Sequence, residues 1–119
     1  MNVGIRYSFL IDIYKLRDLL PKLTLQLIAL ELYTLAKVTI KSIRIEAQKS
    51  APNLERVNLL EWDLFYFYCV CLGFYGDVMS YTDQRSNIEK YRAPLDPQIK
   101  NVEELYNEIE CLVERYMKI

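Results

Sequence analysis

Apolar residues recur along this chain mostly at intervals of three and four, with one stretch that imitates a strand. Over residues 5–20, Ile5, Phe9, Ile13, Leu16 and Leu20 fall on one stripe of a helix, Lys15 and Asp18 lie on the other side, and Pro21 stops it. In residues 22–50, Leu23, Leu25 and Leu27, then Val38 and Ile40, then Ile43 and Ile45 alternate as strand residues do. Strand pairing needs turns, yet residues 22–51 contain no Gly, Pro, Asn or Asp, and the alternation slips phase after Leu27 and again after Ile40. One helix over 22–50 is therefore expected. It would be about 43 Å long, long enough that a kink or an early end is an open alternative.

Ser50-Ala51-Pro52-Asn53 reads as a connection, and Asn58 followed by Glu61 resembles a capping box that starts a third helix over about 59–81. That helix is apolar on nearly every face, from Trp62, Phe65 and Tyr66 to Phe74, Val78 and Met79, the pattern of a buried helix. Residues 82–97 are polar and broken by Pro94 and Pro97, so they read as a long loop, with Ser86 to Glu89 able to cap one short helical turn. Asp96-Pro97 supplies an N-cap and first-turn proline for a last helix over 98–117. There Val102, Leu105, Ile109, Leu112 and Val113 share one side, and Glu103, Glu104, Glu108, Glu110 and Glu114 the other. The expected fold is an all-α, four-helix bundle-like single domain over residues 1–119.

Composition supports that class: 119 residues with 52% apolar content are enough for one core. Charge adds a polarity that the periodicity does not show. Residues 1–56 carry nine Lys/Arg against five Asp/Glu, and residues 57–119 carry six against eleven. The basic half could fold onto the acidic half, or each could meet a different partner. Three cysteines, Cys69, Cys71 and Cys111, do not form an even disulfide set and read as buried, inert thiols of an intracellular, cytoplasmic protein. The apolar run from Leu64 to Gly76 is short of a bilayer span, so no membrane partner is expected.

The chain has no histidine, which removes the commonest general base and metal ligand near neutral pH. A structural zinc site wants four ligands, and three cysteines without histidine fall short. No catalytic, cofactor or metal residue is assigned, and the protein is read as not an enzyme.

Two surfaces stand out instead. On the third helix, Cys69, Gly73, Gly76 and Ser80 make one ridge of small side chains beside Trp62, Phe65 and Tyr66, suited to close packing with another backbone or, on a third reading, to a small-ligand or metal-dependent site. On the second, Lys37, Lys41 and Arg44 make a basic stripe, which with Arg85 and Arg92 could follow a phosphate backbone or else pair with acids of the last helix. The apolar circumference of helix three favours a non-enzymatic assembly or interaction module, self-associating or a small subunit of a larger complex, over a nucleic-acid adaptor.

Overall fold

The structure, a computed structural model, describes residues 13, 15–76, 81–92 and 99–118, with the side chains of 81–84, 92, 99 and 100 left aside. The all-α reading holds: the described residues form five helices and no strand. They are α1 (residues 15–19, with Ile13 also helical), α2 (Lys22–Ala47), α3 (Leu54–Tyr75), α4 (Tyr81–Arg92) and α5 (Ile99–Met117). The rest of the expected first helix, residues 5–12, lies outside the described residues.

Pro21 separates α1 from α2 because it has no N–H to continue the first helix. Leu20 N–H closes the last turn of α1 on Leu16 O at 3.0 Å, and Pro21 O accepts the first bond of α2 from Leu25 N–H at 3.1 Å. α2 is then continuous to Ala47, three residues short of the expected end. The strand-like alternation resolves into helix faces, with Leu25 buried and Leu23 and Leu27 exposed. Without turn residues the segment has no way to reverse and pair with itself, so local helical bonding wins.

The third helix begins five residues earlier and ends six residues sooner than expected. Its cap is Asn53, whose side chain accepts from Arg56 N–H at 3.1 Å, not Asn58. Starting there carries Val57 into the core, a gain in apolar burial that a start after Asn58 would forgo. Glu61, expected to reach back in a capping box, is fully buried two turns inside. Gly76 ends the helix in an extended conformation, its N–H on Leu72 O at 3.1 Å. A Cβ at Gly76 would stand 2.6 Å from that same carbonyl oxygen, so this close exit suits glycine.

The expected loop over 82–97 is also corrected, because residues 81–92 are helix α4. Its apolar residues are too few to raise a strong pattern, but Ile88 and Tyr91, three apart on one face, are both buried, and Tyr91 packs edge-on against Tyr68 at 5.1 Å. Tertiary contact thus stabilises a helix whose own composition is polar. Residues 93–98, including the proposed Asp96-Pro97 cap, lie outside the described residues.

Four contacts set the orientation of the long helices. Tyr75 Oη donates to Leu25 O at 2.8 Å, which runs α3 antiparallel to α2. Tyr33 meets Glu110 and Arg44 meets Glu103, which runs α5 antiparallel to α2 as well. Tyr75 and Tyr116 rings lie 4.6 Å apart, so α3 and α5 are parallel. Parallel neighbours need a connection that travels back along the bundle, and α4 makes part of that return against α3. α2, α3 and α5 pack pairwise around one core that holds Ile40, Leu64, Phe65, Tyr68, Leu105 and Ile109. α3 is apolar all round because it is covered from several sides by this chain itself.

Candidate functional site

The ridge expected to form an outward interface on α3 is occupied from within. Phe65, Cys69 and Gly73 are buried, while Trp62, Tyr66 and Gly76 are half-buried; Ser80 lies outside the described residues. Gly73 is where α1 comes in: Arg17 Nη1 donates to Gly73 O at 3.2 Å. That carbonyl belongs to the last turn of α3, where no intrahelical N–H is available, and a cation there also faces the negative end of the helix dipole.

The basic stripe of α2 meets α5 along one edge. Arg44 makes a two-point ion pair with Glu103, Nε to Oε1 at 2.6 Å and Nη2 to Oε2 at 2.5 Å. Each ion holds the other charged: the guanidinium pulls the Glu103 carboxyl below its ordinary range, and the carboxylate raises Arg44 further. About three turns toward the start of α2, Tyr33 Oη donates to Glu110 Oε2 at 2.6 Å, and that bond, with partial burial, pushes the phenol well above its usual range. Lys37 Nζ sits 4.0 Å from the centre of the Tyr33 ring. Glu103 and Glu110, set on the side of α5 away from its apolar stripe, are therefore half-buried and engaged with α2. The basic half of the chain does fold onto the acidic half here. Of the five residues that could have lined a nucleic-acid site, Arg44 is neutralised by Glu103 and Arg85 pairs with Glu89 at 3.1 Å within α4. Lys37 and Lys41 are exposed, and the side chain of Arg92 lies outside the described residues.

The cysteines divide. Cys69 and Cys71 are buried, and burial pushes the Cys71 thiol up to about 12, whereas Cys111 is exposed on α5, which corrects the expectation of three buried thiols. Among the described residues no three His, Cys, Asp or Glu side chains come together as metal ligands would. A polar cleft of about 210 Å³ between α3, α4 and α5 is lined by Tyr68, Asn87, Lys90, Tyr91, Glu108 and Arg115 among others.

What sequence reading missed lies on the outer side of α2. Leu23, Leu27, Leu30, Val38 and Ile45 are 68, 60, 50, 60 and 54% exposed. With Thr34 and Lys41 they occupy an arc of about 80° around the helix and run for about 33 Å along it. A groove of about 360 Å³ opens among Leu27, Leu30, Glu31, Thr34 and Leu35. The hydroxyls on this side are satisfied within the helix, Thr34 Oγ1 donating to Leu30 O at 2.9 Å and Ser42 Oγ to Val38 O at 2.9 Å. Thr34 can thus be covered by another surface without stranding a donor. The signal was present in the sequence: Ala29 and Ala36, both fully buried, mark the inward face as a seat for close packing, and the large leucines are left for the other side.

By length and composition α2 and α3 are each apolar enough to cross a membrane; buried core helices share that property, but only about a third of the apolar window of α2 is buried. The chain is an all-α, bundle-like helical protein. No protein-family profile, no curated protein and no solved structure matches it.

Proposed function

We propose that this protein is a non-enzymatic assembly module that docks another protein through the outer face of α2. The observation that carries the reading is the stripe of Leu23, Leu27, Leu30, Val38 and Ile45, each at least half exposed on one side of one helix. Contiguous apolar surface of this extent is uncommon on a monomer and marks interaction sites when it occurs. This reading puts the site on α2 instead of α3, where the pattern of the sequence put it, since α3 packs against α2, α4 and α5 within the chain. The nucleic-acid reading loses Arg44 to Glu103.

Site-specific photo-crosslinking tests this. A benzophenone side chain at Leu27 is expected to trap a protein neighbour, a second copy or another chain, in cells that express the protein. The same group at Asp63, exposed on α3, serves as the control and is expected to trap none. Equal trapping at both positions, or none at Leu27, would refute docking through α2.

A further inference from the structure

Resting on that reading, we infer that the occupant of the α2 face is a second copy of this chain, packed α2 against α2 in antiparallel fashion about a two-fold axis at Thr34. A two-fold interface must be complementary to itself under reversal. The stripe has that symmetry. Leu30 and Val38 lie four residues either side of Thr34, Leu27 and Lys41 seven, and Leu23 and Ile45 eleven. Reversed onto a second copy, apolar residue meets apolar residue at the inner and outer pairs. Leu27 meets the aliphatic stem of Lys41, which keeps its ammonium at the rim. The small Thr34 sits at the crossing, where two backbones approach closest.

Charge selects the antiparallel arrangement over the parallel one. Glu110 is level with Tyr33 and α5 runs antiparallel to α2, so Glu114, one turn beyond Glu110, is level with about residue 29 of α2. The two-fold axis keeps both copies' α5 helices on the same side of the α2 pair. It brings the second copy's Lys41 level with Leu27 of the first, beside Glu114. The second copy's Lys37 comes level with residue 31, beside Glu110. Glu114 and Lys41 are both exposed and in position to pair. In a parallel pair the α5 helices fall on opposite sides, and Lys41 faces no acidic row. The area also suits a dimer: the stripe presents on the order of 600 Å² per copy, and its charged rim brings this near the roughly 800 Å² that each partner of a standard interface buries.

Sedimentation of the full chain, with Cys111→Ser to remove the exposed thiol, should give twice the 14.2 kDa monomer mass. Leu30→Glu should return it to the monomer with an unchanged helical circular dichroism spectrum. Lys41→Glu, which alters only an exposed rim position, should weaken the dimer roughly fivefold, and Glu114→Lys in the same chain should restore it. In the Cys111→Ser background, Thr34→Cys should form an intermolecular disulfide, as should the double variant Leu27→Cys/Lys41→Cys. Leu27→Cys alone should not, since the two copies of that position would be about 21 Å apart, far beyond disulfide reach. A disulfide through Leu27→Cys alone overturns the antiparallel arrangement while leaving α2 as the docking face. A strictly monomeric chain at high concentration overturns the second copy, as does a monomer that sediments with phosphatidylserine-containing vesicles; photo-crosslinking at Leu27 then still decides whether α2 docks a different protein. A dimer untouched by both Leu30→Glu and Lys41→Glu also overturns this inference, and photo-crosslinking at Leu27 again decides whether α2 docks a different protein.

Discussion

Arg17 reaches from α1 to the carbonyl oxygen of Gly73 in the last turn of α3, closing 3.2 Å across two segments that are 56 residues apart in sequence. The contact ties α1 to the end of α3 and supplies a cation to a helix C-terminus. Arg17→Met keeps most of the aliphatic stem and removes the donor. It should lower stability by about 1–2 kcal/mol in urea denaturation, with an unchanged m-value showing that the folded and unfolded states expose the same surface as before.

The Tyr33 phenol is held neutral by its bond to Glu110 and by partial burial, and burial raises Tyr68 and Tyr75 in the same direction. Groups whose folded pKa lies above the unfolded one contribute stability in full below the unfolded value, about 10 for tyrosine, and lose it as pH rises further. The protein should therefore weaken steeply on the alkaline side above about pH 10. Tyr33→Phe should remove part of that alkaline slope and cost about 1 kcal/mol at neutral pH, both read from thermal melts across a pH series.

On the acid side the sign reverses. Arg44 depresses the Glu103 carboxyl, so the pair stabilises the fold above the ordinary glutamate range and fades as pH falls through about 4 and below. Both side chains are at least a third exposed, which limits the pair to about 1 kcal/mol despite its two-point geometry. Glu103→Gln should lose that much at neutral pH and show a flatter acid limb than the parent protein, and added salt should narrow the gap between them.

Thiol labelling provides an independent check of the core. Cys111 should react with iodoacetamide in the native state at the rate of an ordinary exposed thiol, while Cys69 and Cys71 are buried and Cys71 is further disfavoured as thiolate. Mass spectrometry should show one label on native protein and three after denaturation. Labelling of all three at similar native rates would contradict the placement of α3 at the centre of the bundle.

How much of this was legible without coordinates varies by element. α5 was read almost to the residue because its one apolar side and its acidic side are unmistakable, and Val102, Leu105, Ile109, Leu112 and Val113 are all buried. α4 was missed because Ile88 and Tyr91 are its buried anchors, and three apolar residues in twelve do not raise a period above its polar background. The start of α3 was misplaced because Asn53 and Asn58 are both competent caps, and the choice between them depends on whether Val57 has somewhere to be buried.

The candidate site divides in the same way. Residue types and their periodicity determined by themselves that the chain is helical, that α3 is interior, and that α2 and α5 have charges able to pair, because propensity, patterning and charge are local properties. Tertiary structure alone decided which face of α2 turns inward. α2 is apolar on two sides, and both Leu25/Ala29/Ala36/Ile40 and Leu23/Leu27/Leu30/Val38 could have met the core. The side with Ala29 and Ala36 allows α2 to approach its neighbours closely and to present Tyr33 and Arg44 to Glu110 and Glu103. The leucine stripe is left outside as the price of that fit, a matter of shape and register between helices that no single segment contains.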